Sequence, residues 1–221
     1  LILGASVARP AAADSTAARN NEGNRLYEQK RYDEALKLYT DAQAGRPEAP
    51  ELHYNIGNVL FRKGEYDKAV EEYLRAQAAR DPALAEASLF NRGNALMMQG
   101  QLQPAVNAYV QALRARPDDA DAKRNLELAL RLLKEQQKQQ QQDQNRKNDQ
   151  KPPQDQKQGQ GTPPPSSQQQ QRDKTQQPRQ GQMTEDEARR ILDALKDEEK
   201  EGIRKHAQAA VGEREKPEED W

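Results

Sequence analysis

The stretch GNRLYEQKRYDEALKLYTDA, from Gly23 to Ala42, returns as GNVLFRKGEYDKAVEEYLRA from Gly57 to Ala76 and as GNALMMQGQLQPAVNAYVQA from Gly93 to Ala112. The glycines stand 34 and then 36 residues apart. The same register repeats Ala35, Ala69 and Ala105; Tyr39, Tyr73 and Tyr109; and Ala42, Ala76 and Ala112, with Pro47, Pro82 and Pro117 closing the units. A period of this length is one supersecondary unit. Each unit carries two apolar stripes at helical spacing: Leu26 and Tyr27 on a first helix, then Tyr32, Ala35, Leu36 and Tyr39 on a second. One such hairpin cannot bury its own face, whereas three stacked hairpins share a continuous core. The expected fold is therefore all-α, a solenoid of three helical hairpins over about 16–47, 50–82 and 86–117.

Local signals agree. Turns are expected at Gln29-Lys30-Arg31, Lys63-Gly64-Glu65 and Gln99-Gly100-Gln101. Gly23, Gly57 and Gly93 fall inside first helices, where glycine costs about 1 kcal/mol relative to alanine. That penalty points to close contact with the second helix. The prolines are expected to stop each second helix, since proline lacks an N–H and clashes with the preceding turn. With 2 Phe, 1 Trp and 7 Tyr, the core must be built mainly from Ala, Leu and Tyr.

Beyond Pro117, Asp118-Asp119 can cap a further helix. Leu126, Ala129, Leu130 and Leu133 give it one apolar stripe, so 118–135 reads as a cap over the third hairpin and completes a domain at 15–135. From Gln136 to Gln182 no aliphatic, Met or aromatic residue occurs. Nothing there offsets the entropy of ordering, and a disordered Gln/Pro-rich linker is expected. Thr184 and Glu187 then form a capping-box pattern. Ala188, Ile191, Leu192 and Leu195 line one face of an amphipathic helix over 183–211. Such a helix is marginal alone, so it is expected to dock on this chain's repeats or on a partner. The acidic stretch 212–221 ends in Trp221, a candidate pocket-filling anchor; with Ile191, Leu192 and Leu195 it would form a second docking element. At the other end, 1–13 reads as the back half of a secretory signal, with Ala11-Ala12-Ala13 as an A-x-A pattern. The end of a membrane span or an ordinary apolar N-terminus are the other readings.

The charge pattern narrows the function classes. Thirty-five basic residues against 36 acidic give a formal charge of −1, unlike a dedicated nucleic-acid binder. Cysteine is absent, and His53 and His206 are far apart in sequence. No phosphate loop, dinucleotide-binding glycine pattern, nucleophile elbow or metal signature occurs. The expectation is a non-catalytic protein with no cofactor, metal or small-molecule substrate.

The repeat resembles the tetratricopeptide repeat (TPR), whose 34-residue signature places Gly, Ala, an aromatic, Ala and Pro as they stand here. The family's Trp position differs, holding Arg19, His53 and Leu89, and His53 is expected to pack against a neighbouring helix. The resemblance implies a concave groove lined by first helices. Its inward positions carry over to Asn20, Asn24 and Tyr27; Tyr54, Asn55, Asn58 and Phe61; and Phe90, Asn91, Asn94, Met97 and Met98. An asparagine ladder suits an extended peptide backbone, because each amide offers a donor and an acceptor. One subclass grips a chaperone's C-terminal carboxylate with Lys, Asn, Asn, Lys and Arg. Asn24 and Asn55 match its asparagines, but Asn20, Ala87 and Asn91 replace its cations.

Over most of its length the chain is also similar to the BatC-like TPR proteins of bacterial Bat (aerotolerance) operons. The similar features are the exported start, RNLELALRLLKEQQ, the Gln-rich tail, TEDEARRILDALKDEEK and the final Asp-Trp. That resemblance implies a periplasmic, cell-envelope scaffold acting with VWA-domain membrane proteins and, through them, a MoxR-type ATPase. Membrane contact is then expected only through partners or a lost N-terminal segment. A generic exported adaptor in another envelope pathway and the TPR part of a membrane-anchored VWA–TPR fusion are the alternatives.

Overall fold

The structure, a computed structural model, describes residues 11–149 and 183–214. They form eight helices: α1 (Ala11–Glu28), α2 (Tyr32–Gln43), α3 (Pro50–Arg62), α4 (Tyr66–Ala76), α5 (Pro82–Met98), α6 (Leu102–Ala115), α7 (Ala120–Asp149) and α8 (Glu185–Arg214). No strand occurs among the described residues. The calls on 1–10, on 150–182 and on 215–221 with Trp221 lie outside them.

Helices α1–α2, α3–α4 and α5–α6 are the three hairpins, and α7 stacks on the last. The turns fall where the sequence places them. In each, the chain crosses into left-handed backbone for one residue: Gly64 at φ 79°, Gly100 at φ 72° and Lys30 at φ 61°. The next amide reaches back to the first helix, as in Glu65 N–H to the Leu60 carbonyl at 2.9 Å. Lys30 occupies a conformation its two counterparts give to glycine. Lys30→Gly is expected to stabilise the fold by about 1 kcal/mol, read as a higher urea midpoint.

The intra-helical glycines are explained by the second helix. A Cβ on Gly23 would lie 2.6 Å from the Tyr39 ring, on Gly57 2.8 Å from Tyr73, and on Gly93 2.6 Å from Tyr109. These tyrosines are the largest fully enclosed side chains of their hairpins, and Ala35, Ala69, Ala105, Ala42, Ala76 and Ala112 fill the narrow space beside them. The first helices α1, α3, α5 and α7 adjoin one another in a row, while the backbones of α2, α4 and α6 do not approach each other. The stack therefore closes on the first-helix side and opens on the other.

Two expectations change. Pro82 does not stop α4, which ends at Ala76; it opens α5. First-turn proline is favourable because its missing N–H would have no intrahelical partner, and Asp81 caps the same turn by accepting from Ala83 N–H at 3.0 Å. The cap helix does not end at 135: α7 runs to Asp149, through the first part of the stretch expected to be disordered. Gln, Lys, Arg and Glu are good helix formers, and no Gly or Pro interrupts before Pro152. Residues 134–146 are exposed all round, so this extension rests on propensity and not on packing. Asp119 starts α7, accepting from Asp121 N–H at 2.9 Å and Ala122 N–H at 3.0 Å. Leu126, Ala129, Leu130 and Leu133 are buried as expected.

The late helix docks on the chain's own repeats. Ala188 and Leu192 are buried in one apolar cluster with Val106, Val110, Leu126 and Leu130; Met183, Ile191 and Leu195 pack at its edge. Lys123 pairs with Glu199 at 2.7 Å and Glu127 with Lys196 at 2.6 Å, which sets α8 antiparallel to α7. Gln103 Nε2 donates to the Met183 carbonyl at 2.9 Å. The capping box forms: Glu187 N–H donates to Thr184 Oγ1 at 3.1 Å, and Thr184 N–H to Glu187 Oε2 at 2.8 Å.

Candidate functional site

The row of first helices carries one repeated hydrogen-bond pattern. Within each hairpin, the buried tyrosine hydroxyl donates to the asparagine after the glycine: Tyr39 to Asn24 at 2.8 Å, Tyr73 to Asn58 at 2.9 Å and Tyr109 to Asn94 at 2.8 Å. Burial pushes all three tyrosine hydroxyls above their ordinary pKa, so they remain protonated donors. Between hairpins, the next first helix donates to the same oxygen. Asn55 Nδ2 reaches Asn24 Oδ1 at 3.2 Å, Asn91 reaches Asn58 at 3.1 Å and Asn125 reaches Asn94 at 2.9 Å. Asn55 also donates to Asn20 Oδ1 at 2.9 Å, and Asn91 to the Tyr54 hydroxyl at 3.2 Å.

Two donors on one amide oxygen fix the orientation of Asn24, Asn58 and Asn94. Their Nδ2 groups have no partner among the described residues, and neither do the Oδ1 atoms of Asn55, Asn91 and Asn125. None of these atoms is sealed from solvent without a partner. Each inter-repeat junction therefore offers one free amide N–H group and one free amide carbonyl. A hollow of about 290 Å³ opens at the first junction, lined by Asn24, Tyr27, Glu28, Tyr39, Asn55 and Asn58.

The expected groove residues divide into three groups. Asn20, Asn24, Asn55, Asn58, Asn91 and Asn94 come together as the ladder. The aromatics lean on their own hairpins: Tyr54 lies 6.1 Å from the Tyr73 ring, Phe90 6.0 Å from Tyr109, Phe61 5.4 Å from Tyr66 and Tyr27 5.5 Å from Tyr32. They are half-buried walls of the trough. Met97 packs against the core of the third hairpin, and Met98 at the end of α5 is 57% exposed. Ile191, Leu192 and Leu195 lie apart from the trough, on the α6–α7 side.

Sequence reading missed Asn125, although it stands 34 residues after Asn91. In α7 Glu127 and Leu128 stand where the earlier units have Gly-Asn, so the repeat signature does not extend to Asn125. Where the ladder would call for a further asparagine, α7 has Leu128, since no tyrosine hydroxyl lies beyond it to bind. His53 is packed as expected: Nε2 lies 2.9 Å from the Pro47 carbonyl, and Nδ1 2.6 Å from Glu72 and 3.1 Å from Gln43 Nε2.

Two tetratricopeptide repeat family models match, over residues 20–85 and 86–119. The repeats of this chain are tetratricopeptide repeats. Solved structures show the same fold. The N-terminal domain of stress-induced protein-1 (STI-1) from C. elegans is 25% identical with a TM-score of 0.50, over 54% of this chain and 98% of that one. The first TPR of Spaghetti (RPAP3), bound to an HSP90 peptide, is 24% identical with a TM-score of 0.52, over 54% and 94%. The Sgt2 TPR domain from Aspergillus fumigatus is 22% identical with a TM-score of 0.53, over 69% and 93%. No curated protein sequence matches the chain. TPR domains are protein–protein interaction modules, and the trough is the face on which this one repeats its chemistry.

Proposed function

We propose that the trough holds an extended segment of another protein by its backbone. The observation that carries this is the free N–H and free carbonyl left at each of three successive junctions. A peptide unit offers the complementary pair, so a strand laid along the row finds matched partners whatever its side chains. The half-buried Tyr27, Tyr54, Phe61 and Phe90 beside the row add apolar contact.

A chaperone-type carboxylate clamp fits poorly. Asn20, Ala87 and Asn91 stand where that clamp has cations, so an acidic terminus would lack charge-assisted bonds. The only acid or base lining the hollow is Glu28, which disfavours a carboxylate there. The ligand class is therefore an internal or neutral extended segment.

The finer reading is an exported scaffold of the Bat type, in the periplasm or cell envelope, whose trough holds a segment of a VWA-domain membrane protein and brings a MoxR-type ATPase into the assembly. It is supported by the resemblance of the helix after the repeats, the Gln-rich stretch and the late helix. A generic exported adaptor, or the TPR part of a VWA–TPR fusion, would use the same trough with other partners.

Asn55→Ala combined with Asn58→Ala is expected to weaken capture of a purified VWA domain at least about tenfold, at about 1 kcal/mol per lost amide contact. Helicity stays intact, although Tyr73 loses its acceptor and stability falls by about 1 kcal/mol. Equal retention of the VWA domain by variant and parent refutes the trough assignment. If neither retains it, the adaptor alternative is favoured.

A further inference from the structure

We propose that α8 is a detachable second helix, and that its seat on α6 and α7 joins two copies of this chain, each lending its α8 to the other. The argument begins with residue 127. It follows Gly93 by 34 positions, as Gly57 follows Gly23, so α7 is the first helix of a fourth unit. At Gly23, Gly57 and Gly93 the second helix presses a tyrosine ring against the glycine and ties its hydroxyl to the neighbouring asparagine. In α7 the glycine is Glu127, the asparagine is Leu128, and the contact at Glu127 is an ion pair with Lys196 of α8. Thus α8 lies on the side of α7 where a second helix belongs, without the ring, the glycine or the hydroxyl that fasten the other three.

What holds α8 is modest. Among the described side chains of α8, Ala188 and Leu192 are buried. Of its two ion pairs to α7, Glu127–Lys196 is solvent-exposed and contributes about 0–1 kcal/mol, while Glu199, more than half exposed, pairs with the buried Lys123. The seat itself is specific. On the outer face of α6, Val110 is buried beside α8, whereas its counterpart Leu74 on α4 is 53% exposed. An uncovered seat would leave Val106, Val110, Leu126 and Leu130 facing water, so it needs an occupant.

A second copy's α8 is the occupant whose fit is guaranteed, because every contact re-forms with the same residues. Chain length permits it. Three residues turn each fastened hairpin, but residues 150–182 separate α7 from α8 and can span up to ~110 Å. Exchange leaves the trough untouched, since among the described residues the backbone of α8 approaches α6 and α7 alone.

The absence of cysteine allows a direct test on the full chain. Glu127→Cys and Lys196→Cys are made separately, one chain carrying a mass tag. They are mixed from about 10 μM up to about 1 mM, where a neighbour's helix begins to compete with a tethered one whose effective concentration is on the order of millimolar, and treated with a short bis-maleimide. The expected result is a tagged–untagged dimer whose yield rises with concentration. It should reach at least about fivefold that of a control mixture of Glu127→Cys with Glu71→Cys, which sits on the exposed face of α4. Adding Leu192→Asp to the Lys196→Cys chain should return the yield to control. A yield matching the control at every concentration overturns the proposal.

Discussion

Gly57→Ala is expected to destabilise the stack by about 2 kcal/mol, although it replaces the second-worst helix former by the best. Propensity alone would favour alanine by about 1 kcal/mol. The new Cβ would lie 2.8 Å from two ring carbons of Tyr73, a side chain 1% exposed and tied by its hydroxyl to Asn58. The ring cannot swing aside without losing that bond and disturbing Ala69 and Ala76. Overpacking of this kind costs about 1–3 kcal/mol, and the helix must also separate from its neighbour. The contrast is Gly202→Ala in α8, where nothing lies within 4 Å of the added carbon. Urea midpoints of the two variants decide the matter: Gly57→Ala should fall, and Gly202→Ala should hold or rise. A rise in both would mean that the glycine–tyrosine contact does not constrain the hairpin.

Leu192→Asp is expected to release α8 altogether. Over 185–205, Leu192 is the most deeply placed large side chain of that helix, at 3% exposure. Placing a carboxylate there costs several kcal/mol unless the group leaves the site. The rest of the seam, Ala188 with the partly buried Met183, Ile191 and Leu195, offers little to oppose departure. Freed, a lone amphipathic helix is marginal in water. Amide exchange over 185–205 should therefore accelerate on the order of 100-fold, while peptides from α1–α4 keep their rates. Unchanged exchange in α8 would show that the helix holds itself together without its seat.

The parts of the fold legible in sequence are those that repeat. Three occurrences of Gly, Ala, Tyr and Ala in register place the hairpins, the turns and the close packing of α1 on α2, because each residue's role is set inside its own unit. The seat of α8 was half legible: Ala188, Ile191, Leu192 and Leu195 announce an apolar face, but a face does not name what covers it. The clue on the other side, Val110 standing where Thr40 and Leu74 stand in earlier units, has meaning only once the helix is seen above it. The Gln-rich part of α7 departs from expectation for a different reason. The lack of apolar residues shows that 136–149 cannot pack, but packing is not the condition for helix here, because the helix continues from a seated start. Pro82 shows the limit of reading proline as a stop, since the same ring serves equally well to begin a helix.

In the ladder, sequence supplied the residues but not the pairing. A side chain that is fully buried and carries a hydroxyl requires a partner, and Tyr39, Tyr73 and Tyr109 each had an asparagine fifteen residues earlier. The aromatic spacing alone does not show that half of the amide chemistry is spent internally. What remains for a ligand is one donor and one acceptor per junction.

That internal pairing has a consequence for binding thermodynamics. A solvated asparagine must surrender its rotamer freedom when a ligand arrives, and immobilising such side chains commonly takes about 0.5–1.5 kcal/mol each. Here Asn24, Asn58 and Asn94 are already clamped from two sides before any ligand appears. Folding has discharged the entropy loss in advance, so the surface can be wet and polar and still bind with little reorganisation.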